Sequence, residues 1–163
     1  MLILLCTCYP AISQVICNNP DWKENYKPDT MVCYKTVDTV NLFLHFFMPE
    51  IIQPEKSGCI VFFFGGGWAI GTPCQFYPQA DYLAKQGMVA VCAEYRIKSK
   101  HNVMPIECVK DARSAMRWLK INADKFNIDS AKIVASGGSA GGHLAVTTAL
   151  INDVNDARDN LDI

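Results

Sequence analysis

The sequence predicts an α/β fold, and three observations carry that expectation. Two runs, residues 59–64 and 88–93, are apolar almost throughout. Strands this short that are apolar on both faces fit burial between two helical layers. Stretches with helical periodicity lie between and after these runs, and two β-rich segments precede them. Strands alternating with helices after an opening hairpin imply a mostly parallel sheet with an antiparallel edge hairpin and helices on both faces.

Residues 1–17 are apolar from Leu2 to Cys8 and turn small and polar around Ala11, Ile12 and Ser13. That is the pattern of a short secretory signal with an A-x-S cleavage site, and its removal would leave a secreted or periplasmic protein. The first basic residue is Lys23. A buried N-terminal strand or a misassigned start, in a cytoplasmic protein, is therefore the competing reading. No stretch is long enough to span a bilayer.

Residues 18–31, with Pro20, Asp21, Lys23, Glu24, Asn25 and Pro28, read as an exposed lead-in. Strands at 32–37 and 42–48 flank Asp38-Thr39-Val40-Asn41 and suggest the hairpin. The buried strand at 59–64 follows a loop at 54–58. A helix over 76–86 would be closed by Gly87 at the C′ position, ahead of the strand at 88–93. Between residues 105 and 123, Ile106, Val109, Ala112, Met116 and Leu119 recur at helical spacing, with Lys110, Asp111, Arg113 and Lys120 between them. A strand at 132–136 and an Ala- and Thr-rich helix at 140–150 complete the series.

With 15 basic and 16 acidic side chains the formal net charge is -1, so there is no electrostatic footprint for nucleic acid or an anionic membrane. The eight cysteines form no C-x-x-C pair, and the sequence implies neither a metal nor a cofactor. Cys59 and Cys92 lie inside the apolar runs and should behave as small hydrophobes. One disulfide among Cys17, Cys33, Cys74 and Cys108 would suit an oxidising compartment.

The strand at 132–136 runs into Gly137-Gly138-Ser139-Ala140-Gly141-Gly142, and helix follows. This matches G-x-S-x-G, in which a serine on a sharp strand-to-helix turn is exposed at the carboxyl edge of the sheet. Its neighbours must be small for the turn to close. Helix N-terminal amides point at the same spot and stabilise negative charge there. A phosphate-binding loop would need Lys beside the Ser, or G-x-G-x-x-G, and neither occurs. The strand at 59–64 ends in Gly65-Gly66-Gly67-Trp68. Glycine lets backbone N–H groups face a substrate oxygen without a Cβ in the way, and each such donor contributes ~3–4 kcal/mol to an oxyanion.

Together the segments FFFGGGWAIG, AVCAEYRI, MPIECVKDARSAMRWL and FNIDSAKIVASGGSAGGHLA, within about residues 32–151, resemble the esterase and lipase branch of the α/β-hydrolase superfamily. This is the branch with an HGGG-type oxyanion motif, which includes hormone-sensitive-lipase-like enzymes and feruloyl and acetyl-xylan esterases. The resemblance implies a serine esterase working through an acyl-enzyme. Ser139 would be the nucleophile, and Gly66, Gly67 and Ala140 would form the oxyanion hole. The substrate would be a small-molecule or polysaccharide-linked ester. The family usually has His before the glycines, where this chain has Phe64.

Trp68, Phe76 and Tyr77 follow the loop and either line the acyl or alcohol pocket or pack in the core. His143 lies one helical turn after Ser139, on the wrong side for a general base, and reads as structural. His45 and His101 read as solvated or capping. Arg96 and Asp111 are expected to form a buried ion pair bracing the sheet.

In this superfamily the triad runs Ser, then Asp or Glu, then His. After Ser139 only 24 residues remain (163 - 139), and His143 is their sole histidine. Asp153, Asp156, Asp159 and Asp162 fall in a polar tail. Residues 32–163 therefore read as the N-terminal portion of a hydrolase domain, from a parent of roughly 250–300 residues, and as inactive alone. A non-catalytic protein on this scaffold and a related serine peptidase are the competing functions.

Overall fold

The computed structural model describes residues 25–51, 54–157 and 159. The expected signal at 1–17 and most of the lead-in, residues 18–24, lie outside them. Five strands form one sheet: β1 (Thr30–Val37), β2 (Val40–Phe47), β3 (Ser57–Phe63), β4 (Val89–Ala93) and β5 (Ile128–Gly137). The helices that lie wholly within the described residues are α1 (Tyr77–Lys85), the single turn α2 (Lys98–His101), α3 (Pro105–Asn122) and α4 (Ala140–Leu150), with 3-10 turns at Pro73–Phe76 and Ala123–Phe126.

The sheet order is β1-β2-β4-β3-β5. The hairpin occupies the β1 edge, as expected. The antiparallel portion runs one pairing further than the hairpin, because β2 also pairs antiparallel with β4. The pairings β4–β3 and β3–β5 are parallel. Their register places Phe63 opposite both Ala93 and Gly137, so the carboxyl ends of three strands are level.

Alternation along each strand sends side chains to two separate cores. On one face Leu44, Phe46, Val61, Phe63, Val89 and Val91 meet Cys108, Ala112, Ala115 and Leu119 of α3 and Leu144 of α4. On the other, Phe47, Phe62, Ala90 and Cys92 meet Ala80 and Ala84 of α1. This is the three-layer arrangement that the runs 59–64 and 88–93 imply. Each fully buried large side chain contributes about 1.5–3 kcal/mol.

Helix α1 ends in a Schellman motif: Met88 N–H donates to Leu83 O, Gly87 N–H donates to Ala84 O, and Gly87 takes φ +91. The expected helix at 76–86 therefore starts one residue later, after its own 3-10 turn. No helix among the described residues is long and apolar enough to cross a membrane.

Of the cysteines considered for a disulfide, Cys33 and Cys108 are free thiols, while Cys74 is disulfide-bonded. Cys59 and Cys92 are also free. Those two are fully buried, and burial raises the Cys59 thiol to about 12 and the Cys92 thiol well above its usual value. They are packing residues, as expected.

Candidate active site

Strand β5 ends at Gly137, helix α4 begins at Ala140, and Ser139 is the N-cap between them. Its backbone sits at φ 52, ψ -118, a conformation that is costly for any residue with a Cβ. The turn closes because Gly137 and Gly141 touch. A Cβ on Gly137 would lie 2.5 Å from Gly141 C, and one on Gly141 only 1.9 Å from Phe63 O at the end of β3. Ser139 is left exposed at the sheet's carboxyl edge.

The glycine loop leaves β3 beside this turn. A Cβ on Gly65 would lie 2.9 Å from Gly138 O and 3.5 Å from Ser139 Cβ, so the loop and the serine turn are in contact. Gly66 takes φ +134 and Gly67 φ +60. The Gly66 carbonyl accepts from both Ala69 N–H and Ile70 N–H at 3.1 Å, which folds the loop back on itself. Among the described residues nothing accepts from the N–H groups of Gly66, Gly67 or Ala140. Unspent amides beside an exposed, strained serine can bind an oxygen that acquires negative charge.

Phe64 is buried and stacks on Tyr95, with ring centroids 4.1 Å apart. Trp68 follows at φ 59, and its indole stands edge-on to His143 at 5.3 Å. The Trp68 Nε1–H is buried and meets no acceptor among the described residues. His143 is exposed on the first turn of α4.

Tyr77 opens α1, directly after the 3-10 turn at Pro73–Phe76. Its hydroxyl contacts His45 Nδ1, its ring packs on Phe47, and it lines a cavity of about 230 Å³ that neither Ser139 nor Trp68 borders. Burial, then Cys92 and Glu94, push the Tyr77 phenol well up, so it stays protonated. His45 itself is buried, 3.4 Å from Glu94, and is not the solvated edge residue the hairpin suggested. It becomes buried because β2 is an interior strand, flanked by β4. His101 caps its own turn, with Nδ1 accepting from Ile97 N–H at 2.9 Å, as expected.

The Arg96–Asp111 pair is present and larger than the sequence suggested. Asp111 also meets Lys35 Nζ at 2.8 Å, and Lys35 reaches Asp156 at 2.9 Å. Hairpin, sheet and α3 are thus tied together, and two acidic residues of the polar tail join them, Asp156 through Lys35 and Asp159 through Ser114 and Arg117. Gln75, which sequence reasoning passed over, accepts from Gly65 N–H at 2.6 Å. Only its proximity to the glycine loop could have drawn notice.

A family model, BD-FAE, matches residues 44–162, most of the chain. The chain belongs to the BD-FAE family. Esterase 2 of Thermogutta terrifontis, solved with propionate bound, is 48% identical over 80% of this chain and 48% of that one, with TM-score 0.78. The same esterase has been solved phosphorylated by paraoxon. Among curated proteins of Mycobacterium tuberculosis, Esterase LipC is 36% identical over 60% of this chain and 24% of its own length. Carboxylesterase NlhH is 33% identical over 66% and 34%. This BD-FAE chain thus spans about half the length of the esterase structure and a quarter to a third of these curated relatives.

Proposed function

We propose that this chain carries the nucleophile and oxyanion-binding amides of a carboxylic ester hydrolase. The observation that carries the reading is Ser139, held at φ 52 beside the unpartnered amides of Gly66, Gly67 and Ala140. In this reading Ser139 Oγ attacks the ester carbonyl and its proton passes to a base. The carbonyl oxygen becomes an oxyanion among the three N–H groups, and collapse expels the alcohol, leaving an acyl-serine. Water then releases the acid. In the chain order Ser, then Asp or Glu, then His, the base and the acid that orients it follow the nucleophile.

The proposed substrates are esters of short acyl groups, supported by the propionate found in the related esterase. Acetyl or feruloyl esters on polysaccharide fall within the same chemistry. Export belongs to the same reading, since a disulfide at Cys74 suits an oxidising compartment. The test is to assay the full-length protein on p-nitrophenyl acetate and butyrate and to treat it with paraoxon. Turnover together with phosphorylation mapped to Ser139, both lost in Ser139→Ala, is expected. Undiminished turnover in Ser139→Ala would overturn the assignment.

A further inference from the structure

The peptide unit joining Phe64 to Gly65 is gripped at both poles. Its carbonyl, Phe64 O, accepts from the buried Tyr95 hydroxyl at 2.6 Å. Its amide, Gly65 N–H, donates to Gln75 Oε1 at 2.6 Å. Because a backbone N–H can only donate, the side-chain oxygen of Gln75 must be the atom that faces it. Rotation of this one plane is therefore opposed from two directions by side chains of different elements.

The orientation of that plane sets the direction in which the chain enters Gly66 and Gly67, whose amides are unspent. It has little freedom, since Gly65 already stands 2.9 Å, measured from its would-be Cβ, from Gly138 O of the serine turn. Gln75 also sits on a firm base. The next residue, Phe76, stacks on Phe62 of β3 with centroids 5.0 Å apart, and the same ring lies 3.3 Å from the would-be Cβ of Gly138. One 3-10 turn, Pro73–Phe76, thus touches the glycine loop through residue 75 and the serine turn through residue 76.

We propose that Gln75 is a positioning residue for acyl transfer, holding the Phe64–Gly65 peptide so that the Gly66 and Gly67 amides converge on the oxyanion beside Ser139. This rests on the esterase reading above. Removing the Gln75 acceptor leaves the buried Gly65 N–H without a partner. The plane then turns to find another, and the two amides turn with it. Oxyanion binding is realised in the transition state, so the loss falls on kcat and not on KM.

The experiment compares Gln75→Leu, which has no acceptor, with Gln75→Glu, which keeps one, in the full-length protein on p-nitrophenyl butyrate. Misplacement of this order lowers kcat by about 100-fold in Gln75→Leu, with KM within about threefold of the parent. Gln75→Glu should recover most of the lost rate. Parent-like kcat in Gln75→Leu, a change confined to KM, or equal loss in both variants would overturn the proposal. Amide hydrogen exchange in the unsubstituted protein decides independently, including where Gln75→Leu does not fold. Gly65 N–H should exchange slowly and Gly66 and Gly67 N–H fast, whereas a Gly65 amide as fast as Gly66 would overturn the clamp. An unsubstituted protein that leaves esters untouched but protects Gly65 would sink the esterase reading while leaving the clamp in place.

Discussion

Arg96 holds the Asp111 carboxylate at three points. Its Nε donates to Oδ2 at 2.8 Å, one terminal nitrogen to Oδ1 at 2.9 Å, and its own backbone N–H to Oδ2 at 3.1 Å. Burial opposes the guanidinium charge, but Asp111 and Glu107 outweigh it and hold Arg96 above its ordinary value. Removing the Arg96 guanidinium leaves the buried Asp111 carboxylate with Lys35 and the backbone N–H of residue 96 as donors. Arg96→Ala should therefore lose about 3 kcal/mol, the low end for a broken buried pair, read from urea unfolding. An unfolding midpoint equal to the parent's would remove the pair from any account of what braces the sheet.

The glycines of the serine turn are not equivalent. Gly141→Ala drives a methyl to 1.9 Å from Phe63 O and 2.6 Å from Phe64 O, both backbone atoms that cannot swing aside, and should prevent the native fold. Gly142→Ala meets Gly137 O only at 3.2 Å. In a helix it also gains up to about 1 kcal/mol of propensity. Circular dichroism melts should show the first unfolded and the second near the parent, and the reverse ranking would contradict the geometry.

Strain at Ser139 separates stability from chemistry. Ser139→Ala removes the hydroxyl but keeps a Cβ at φ 52, so the strain remains. Ser139→Gly releases it, at the cost of a looser unfolded chain. The glycine variant should be the more stable of the two by about 1 kcal/mol, and both should lose paraoxon labelling. Equal stability in matched chemical denaturation would argue that the turn is relaxed.

Glu107 gives the fold a pH dependence of known sign. The Lys110 ammonium, and then Arg96, hold its carboxyl below the usual carboxylate range. A depressed folded-state value means that the stabilisation is present above the unfolded-state carboxylate pKa and fades as pH falls through the folded-state one. The stability gap between the parent and Glu107→Gln should therefore be full at neutral pH and shrink under acid. A gap that widened on acidification would reverse the assignment.

Much of the fold and of the site is legible in the residues alone, for reasons that differ by element. Helix α3 is plain because one face of it is core, so its period appears in the residue types. The serine turn is plain because two of its glycines, Gly137 and Gly141, are forced by contacts under 3 Å. The start of β5 is not, since Asp129, Ser130 and Lys132 carry no strand pattern. The strand begins at Ile128 because that residue pairs with Ser57 of β3, a partner distant in the chain. The burial of His45 is hidden because β2–β4 pairing is equally non-local. Gln75 leaves no signal of its own, since what defines it is an amide ten residues back that needs an acceptor.

The level ends of β3 and β5 have a consequence for how such a protein can change. Phe63 and Gly137 are ladder partners, so the distance between the glycine loop and Ser139 is fixed by hydrogen-bonded rungs and not by the segments that wander between them. A one-rung slip would displace the two halves by about 3.3 Å, more than any acyl-transfer geometry tolerates. Insertions around α2 leave the rungs untouched. The spacing between the glycine loop and Ser139 is thus insulated from changes of length there.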